Sequence, residues 1–280
     1  MIALVRTEMT KAVRRMRTLV IALGLVGLPT LIVVAIHAHG NRPEHDQGEG
    51  LFRLAQQSGL LVPAAVLSVM SGFLLVVVAG TFAGDTVAGD AAWGNLRYLL
   101  MRPVPRGRLL VAKAFVAGTL IWACTALVTV AALVGGIVLF GAHAVSIPGI
   151  SGFSFGSFAG IHLTQGMLLI RLAAAAAYVA FGFTALLALG TLFSTLTDSA
   201  AGAIGATVGV YIVSEILDGI TQLGRLRYGF PTHYLNAWEP MFTENRFSSD
   251  MIAGVVVQLV YFAVFGAIAV AWFGRKDIRS

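Results

Sequence analysis

The sequence predicts an all-α, polytopic membrane protein, with six transmembrane helices preceded by an amphipathic interfacial helix. The first observation is composition, since 58% of the 280 residues are hydrophobic and 11% are charged. A soluble domain carries about 25% charged residues, so this chain cannot cover a water-facing surface of its own size. Disorder is excluded as well, because it requires low hydrophobicity and high net charge. The other two observations are a set of long apolar runs and a helical pattern at the N-terminus.

Each apolar run is long enough to cross a membrane, which takes about 20 residues for a hydrocarbon layer of ~30 Å. The runs cover residues 19–36, 60–83, 114–141, 172–193, 200–216 and 251–273. The third run exceeds one crossing, so we expect it to tilt or to protrude from the membrane. It contains Cys124, the single cysteine, so no intramolecular disulfide can form.

The distribution of charge predicts the orientation, because arginine and lysine concentrate in short cytoplasmic segments. With the N-terminus inside, thirteen of the 19 basic residues fall in inner segments. The outer segments are 37–59, 142–171 and 217–250, and they carry the other six. The net charge is then +8 inside and −2 outside. We therefore expect a multi-pass protein of the bacterial inner (plasma) membrane with both termini in the cytoplasm.

The residue pattern at positions 1–17 predicts a cytoplasmic connecting helix. A single six-span domain over residues 18–280 follows it. Apolar residues recur at helical spacings of three and four, at Ile2, Val5, Met9, Val13 and Met16. Basic residues occupy the other side, and Glu8 is spaced to pair with Lys11. A helix of this kind lies flat at the membrane surface, with its cations near anionic headgroups.

The inner loop between spans two and three, residues 84–113, combines a short helical pattern with a cluster of cations. Trp93, Leu96 and Leu100 share one helical face. Pro103 follows closely and ends the helix, because proline clashes with the preceding turn. The loop therefore predicts a short helix in the cytoplasmic interface.

This loop resembles the first intracellular loop of type-2 ATP-binding-cassette exporter permeases, which carries an acid, Gly-Thr-Leu, two leucines, and then proline and arginine. The matching positions are Asp90; Gly94, Asn95 and Leu96; Leu99 and Leu100; Arg102 and Pro103; and Arg106 and Lys113. In that family the loop holds a coupling helix that docks on an ATPase subunit. The resemblance implies an ATPase contact formed by Asp90, Trp93, Gly94, Asn95, Leu96, Arg97, Leu99, Leu100, Arg102, Pro103 and Arg106.

The resemblance also implies partners and a direction of transport, namely two ATPase subunits, a second permease (identical or similar) and efflux. The chain has no GxxxxGK[ST] phosphate loop. We therefore expect no enzymatic activity and no bound cofactor or metal, with ATP and Mg held by the partner ATPase. Two alternatives remain open: an ATP-independent secondary carrier or channel, and a membrane enzyme acting on lipid.

Small residues mark a candidate interface or path between two permeases. Ala201, Gly205 and Gly209 recur every four residues in span five, and Ser71 and Gly72 lie in span two. Small residues let membrane helices approach closely. In the resembled family, spans two and five line the path between two permeases. The remaining lining is mostly apolar, which favours a hydrophobic or amphipathic cargo such as a drug, lipid or peptide.

The outer segment 217–250 is rich in aromatic residues, including Tyr234, Trp238 and Phe242. Amphipathic aromatic side chains favour the boundary between membrane and water. We expect short interfacial or re-entrant helices here, arranged as an outer gate as in the resembled family.

Overall fold

Helices form nearly all of the computed structural model, which describes residues 2–39, 55, 58–92, 105–147, 161–243 and 248–275. In chain order the helices are α1 (Ile2–Arg14), α2 (Met16–His39), α3 (Val62–Gly72), α4 (Leu74–Ala92), α5 (Arg106–Phe140), α6 (Gln165–Gly182), α7 (Thr184–Leu196), α8 (Ala200–Gly219), α9 (Pro240–Thr243) and α10 (Ser249–Arg275). A 3₁₀ helix covers Thr221–Gly229. Two three-residue strands, β1 (Val145–Ile147) and β2 (Ile161–Leu163), pair antiparallel.

Within the described ranges, six helical segments are long and apolar enough to span a membrane, which confirms the predicted number of spans. They coincide with α2, α4, α5, the pair α6–α7, α8 and α10. The shorter apolar helix α3 precedes α4, and we count the two together as span two. Several helices run past the ends of the apolar runs. Span two continues nine residues beyond the predicted end at 83, and α5 begins at Arg106 and reaches 35 residues. The predicted extra length of the third span is therefore confirmed.

Spans two and four are each interrupted by a phenylalanine. Phe73 separates α3 from α4 with φ −136° and ψ −61°, and Phe183 separates α6 from α7 with φ −90° and ψ 5°. The second break frees a backbone N–H at Ala185, which donates to the side-chain oxygen of Gln258 on α10 at 3.1 Å. The amide nitrogen of Gln258 in turn donates to the Pro231 carbonyl at 2.9 Å. One buried glutamine thus ties spans four and six to the outer segment.

Spans two, four and five pack closely because glycines face their neighbours. A side chain at Gly190 would lie 2.5 Å from the Cβ of Ala83, and one at Gly84 would lie 2.8 Å from the backbone of Ile204. Polar contacts support the same packing. The hydroxyl of Ser194 accepts hydrogen bonds from the amides of Val87 and Ala88, each at 2.8 Å. Small residues let helices approach until backbone atoms nearly touch.

The N-terminal helix and the end of the last helix lie at the same end of the bundle, which we call the α1 end. Glu8 of α1 contacts Lys113 near the start of α5. Gly107, also at the start of α5, lies 3.7 Å (from its ideal Cβ position) from Val270 of α10. An even number of crossings accounts for this arrangement. Val5 and Met9 of α1 pack on the apolar core, while Ile2 and Met16 are exposed.

The opposite end contains the segment between α8 and α10, where the structure has the 3₁₀ helix and α9. Trp238 and Phe242 are fully buried and pack edge to face, with ring centroids 5.9 Å apart. Arg171 lies within α6 rather than in a loop, and its guanidinium donates to the Met241 carbonyl. The Tyr178 hydroxyl donates to the Tyr234 carbonyl at 2.8 Å. These aromatic residues therefore hold the segment onto the bundle.

Candidate functional site

Charged side chains from four helices meet at the α1 end of the bundle. We call this set the charge network, and its members are Glu8, Lys11, Arg15, Arg17, Asp85, Asp90 and Lys113. The residues come from α1, the junction of α1 and α2, the last turns of α4 and the first turns of α5. The two last-named helices flank the predicted coupling segment. The network therefore joins the N-terminal helix to both ends of the inner loop.

Lys113 is the centre of the buried part of the network. Its ammonium donates to Glu8 at 2.9 Å and also to Asp90. The three residues are only 7–8% exposed, so all three charges are removed from water. Removing charges from water is costly unless opposite charges and hydrogen bonds compensate for it. One cation between two carboxylates provides that compensation.

Arginines at the junction of α1 and α2 form the other part of the network. Arg15 donates to Asp85 and reaches Asp90 at 3.5 Å, while Arg17 donates to Asp85 at 2.7 Å. Arg15 therefore bridges both acids of α4. These arginines are about one-third exposed, so solvent screens their ion pairs more than it screens those of Lys113.

The local sequence places these groups in three ways. The chain leaves helical geometry at Arg15, and the hydroxyl of Thr18 donates to the Ala12 carbonyl at 2.6 Å, which fixes the bend. Gly89 leaves room for Asp85, because a side chain there would lie 2.3 Å from the carboxylate. Glu8 also pairs with Lys11 at 3.1 Å, which confirms the predicted pairing within α1.

The pKa of Glu8 reflects two opposing effects. Burial raises the pKa of Glu8, but the charges and hydrogen bonds of Lys113, and then of Lys11, outweigh burial and lower it below the ordinary value of 4.5. A carboxyl group whose pKa is lower in the folded state stabilises the fold above its unfolded-state pKa. That stabilisation disappears as the pH falls through the folded-state pKa.

We therefore expect acid below about pH 4.5, the ordinary Glu8 value, to weaken the attachment of α1. Thermal unfolding of the purified protein, followed from pH 7 to pH 3, should show a falling midpoint over this range. The Glu8→Gln variant should start lower at neutral pH and lose less on acidification, because it has no carboxylate to protonate. An equal loss in both proteins would contradict this assignment.

The structure describes only two of the predicted ATPase-contact residues. Asp90 lies in the charge network, and Arg106 begins α5 and is half-buried. The other nine, at positions 93–97, 99, 100, 102 and 103, lie outside the described residues.

Lys113 was only part of the family match, and its role in the network was missed. Its signal was a lysine at the edge of a long apolar run, where an unpaired charge is unfavourable.

The predicted small-residue positions divide into two groups. Ser71 is fully buried and donates back to the Ser68 carbonyl, and Gly72 is exposed at the end of α3. Ala201 and Gly205 are exposed on α8, and side chains built at Gly205 or Gly209 would meet nothing within 4 Å. Within the chain, span five packs through its opposite face, by Ala203, Thr207 and Tyr211. The stripe on α8 thus has no packing partner among the residues that the structure describes.

The model of a known family, described as ABC-2 family transporter protein, matches residues 2–278. The chain belongs to the ABC-2 transporter family. The match covers nearly the whole chain, and it confirms the resemblance found in the inner loop. No curated protein matches the chain.

Membership in the ABC-2 family indicates what kind of subunit this chain is. Proteins of this family are membrane subunits of ABC transporters, typically non-enzymatic, and they associate with ATPase subunits. The charge network links α1, α2, α4 and α5 at one end of the bundle through ion pairs.

Proposed function

We propose that this ABC-2 family protein is the permease subunit of an ATP-driven exporter, and that the charge network transmits movement from the ATPase. The observation that carries this proposal is the position of Lys113. Its ammonium holds Asp90 at the end of α4 and Glu8 of α1 at the same time. The two helices that flank the inner loop are therefore both tied to α1.

In this mechanism an ATPase subunit docks on the predicted contact, from Asp90 to Arg106, and displaces it when it binds ATP. Both flanking helices then move with α1, since the network joins all three. Coupling requires that ATP and cargo each bind the two states of the permease with different affinity. The ATPase holds ATP and Mg, and this chain, which lacks a phosphate loop, supplies the path.

A second permease, identical or similar, and two ATPase subunits complete the proposed assembly. Support for the second permease comes from α8, where Ala201 and Gly205 are exposed within a single chain. A second membrane helix packed on this smooth face would bury it. The apolar surroundings favour a hydrophobic or amphipathic cargo. A polar nutrient would require buried polar groups along the path.

The orientation of the exporter follows from the positive-inside rule, and we place the α1 end in the cytoplasm of a bacterial inner membrane. The outer segment then faces the external side. In this orientation the cations of the charge network would face the ATPase. The outward direction of transport is inferred from the resemblance to exporter permeases.

The double variant Trp93→Ala with Leu96→Ala tests this function. We expect it to lose copurification with the ATPase subunit and at least tenfold of ATP-dependent transport in vesicles, since tenfold corresponds to about 1.4 kcal/mol of lost contact. Leu226→Ala provides a matched control, because Leu226 is 68% exposed in the 3₁₀ helix at the opposite end.

Full transport by the double variant would contradict the coupling role of the loop. Transport by the reconstituted chain alone, driven by an ion gradient and without any ATPase, would instead establish a secondary carrier.

A further inference from the structure

We propose that a groove between α5, α7 and α10 binds an anionic phospholipid, with the acyl chain in the groove and the phosphate beside Arg108. We call it the α5–α10 groove. It encloses about 640 Å³, and its lining includes Val111, Phe115, Trp122, Thr191, Phe262 and Val270. This site is separate from the charge network and from the exposed stripe on α8, and it does not depend on the proposed transport function.

The lining of the groove accepts an apolar chain, and its threonine hydroxyls already donate within their own helices. Thr119, Thr184 and Thr191 each donate their hydroxyl to a carbonyl three or four residues earlier in the chain, at 2.7–2.8 Å. Phe115 is 61% exposed and Trp122 is 45% exposed, so large apolar surfaces lie open. A lipid acyl chain in the groove would bury these apolar surfaces.

The length of the groove matches one leaflet of a membrane. Val111 and Trp122 are eleven residues apart on α5, which corresponds to about 16 Å along a helix. Half of a ~30 Å hydrocarbon core is about 15 Å. A groove of this length, beginning at the α1 end, accommodates an acyl chain of the leaflet at that end.

Positive charge lies where the headgroup of that lipid would be. Arg108 is exposed one turn before Val111, and the spacing to Phe115 and Trp122 places it on the groove side of α5. Arg275, also exposed, lies just beyond Val270 at the end of α10. Among the described residues neither arginine forms an ion pair. Arginine binds phosphate oxygens strongly through charge-assisted hydrogen bonds.

Apolar shape and charge together select the occupant. A second copy of the chain would cover the apolar surface but would leave two arginines needing acidic partners. A phospholipid with a net negative headgroup satisfies both requirements in one molecule. The preference over a zwitterionic lipid that we expect from Arg108 alone is about fivefold, since each cation near an anionic lipid surface contributes about 1 kcal/mol.

Quenching of Trp122 by brominated lipids tests this site. The full-length protein is reconstituted into phosphatidylcholine vesicles containing increasing fractions of brominated phosphatidylglycerol or brominated phosphatidylcholine. Subtracting the signal of Trp122→Phe isolates the Trp122 component from the four tryptophans. We expect half-maximal quenching at an about fivefold lower fraction of the anionic lipid.

Two pairs of variants separate the acyl groove from the headgroup site. Gly266→Phe fills the groove, because a side chain there meets nothing within 4 Å, and it should reduce quenching by both lipids. Gly27→Phe, equally unobstructed but on α2, should not. Arg108→Gln should bring the fivefold preference toward parity, whereas Arg14→Gln, also exposed at the α1 end, should leave it unchanged.

Equal quenching by the two lipids, or a preference that survives Arg108→Gln, would overturn the headgroup assignment. A Trp122 signal that neither lipid quenches would mean that another protein surface covers the groove, which would overturn the proposal entirely.

Discussion

Replacing Lys113 with methionine is expected to lower the free energy of unfolding by about 3–5 kcal/mol, the usual cost of removing one partner from a buried ion pair. Methionine preserves the length of the side chain but leaves the carboxylates of Glu8 and Asp90 without their shared cation. Both groups are more than nine-tenths buried, so water cannot replace the lost contact. We expect α1 to detach and ATP-dependent transport to fall with it.

The matched control for this experiment is Lys11→Met, because Lys11 pairs with the same glutamate from an exposed position. Exposed ion pairs contribute about 0–1 kcal/mol, so this variant should unfold near the wild-type midpoint. Unfolding in detergent and limited proteolysis of the N-terminal helix would measure the two effects separately. If both lysines cost the same, the central role of Lys113 would be wrong.

Replacing Gly136 with alanine is expected to destabilise the protein by about 1–3 kcal/mol through overpacking. The added Cβ would lie 2.4 Å from the carbonyl oxygen of Gly59, a backbone atom that no side-chain rotation can move away. The same region is held by the amide of Gly59, which donates to the Gly141 carbonyl at 3.0 Å. The Ser58 hydroxyl donates to the His143 carbonyl at 2.7 Å. Alanine should therefore separate the start of span two from the end of span three.

Gly135 is the neighbouring control on the same helix. Alanine there would come no closer than 3.4 Å to Val33, an ordinary contact. It should be neutral or should stabilise α5 by up to about 1 kcal/mol, because alanine favours helix over glycine. Thermal unfolding of the two variants in one detergent compares them directly. Equal midpoints would contradict the close backbone approach.

Hydropathy predicts the number and order of the spans because insertion into a membrane depends mainly on apolar length. The helix ends are harder to predict. The apolar run ends at residue 83, so the sequence places Asp85 and Asp90 in the inner loop. Arg15, Arg17 and Lys113 neutralise them in the folded chain, and α4 continues to Ala92.

The charge network could not be predicted from the sequence, because its members come from distant parts of the chain. Glu8 and Lys113 are separated by more than one hundred positions, and only the packing of α1 against α5 brings them together. The pairing of Glu8 with Lys11 was predictable because helix geometry alone determines it. The buried Trp238 shows the same limit, since a hydropathy pattern does not distinguish an aromatic residue at the lipid boundary from one inside the fold.

Phe73 and Phe183 interrupt the second and fourth spans. Helical hydrogen bonding is not continuous at these two residues, so the spans bend there more easily than elsewhere. On one side of the breaks, α4 and α7 are joined by Gly190, Ser194 and their contacts. On the other side, α3 is fastened to the end of α5. The 35-residue α5 runs unbroken alongside both points. Bending at the two breaks would therefore let α4 and α7 move together relative to α3 and α6.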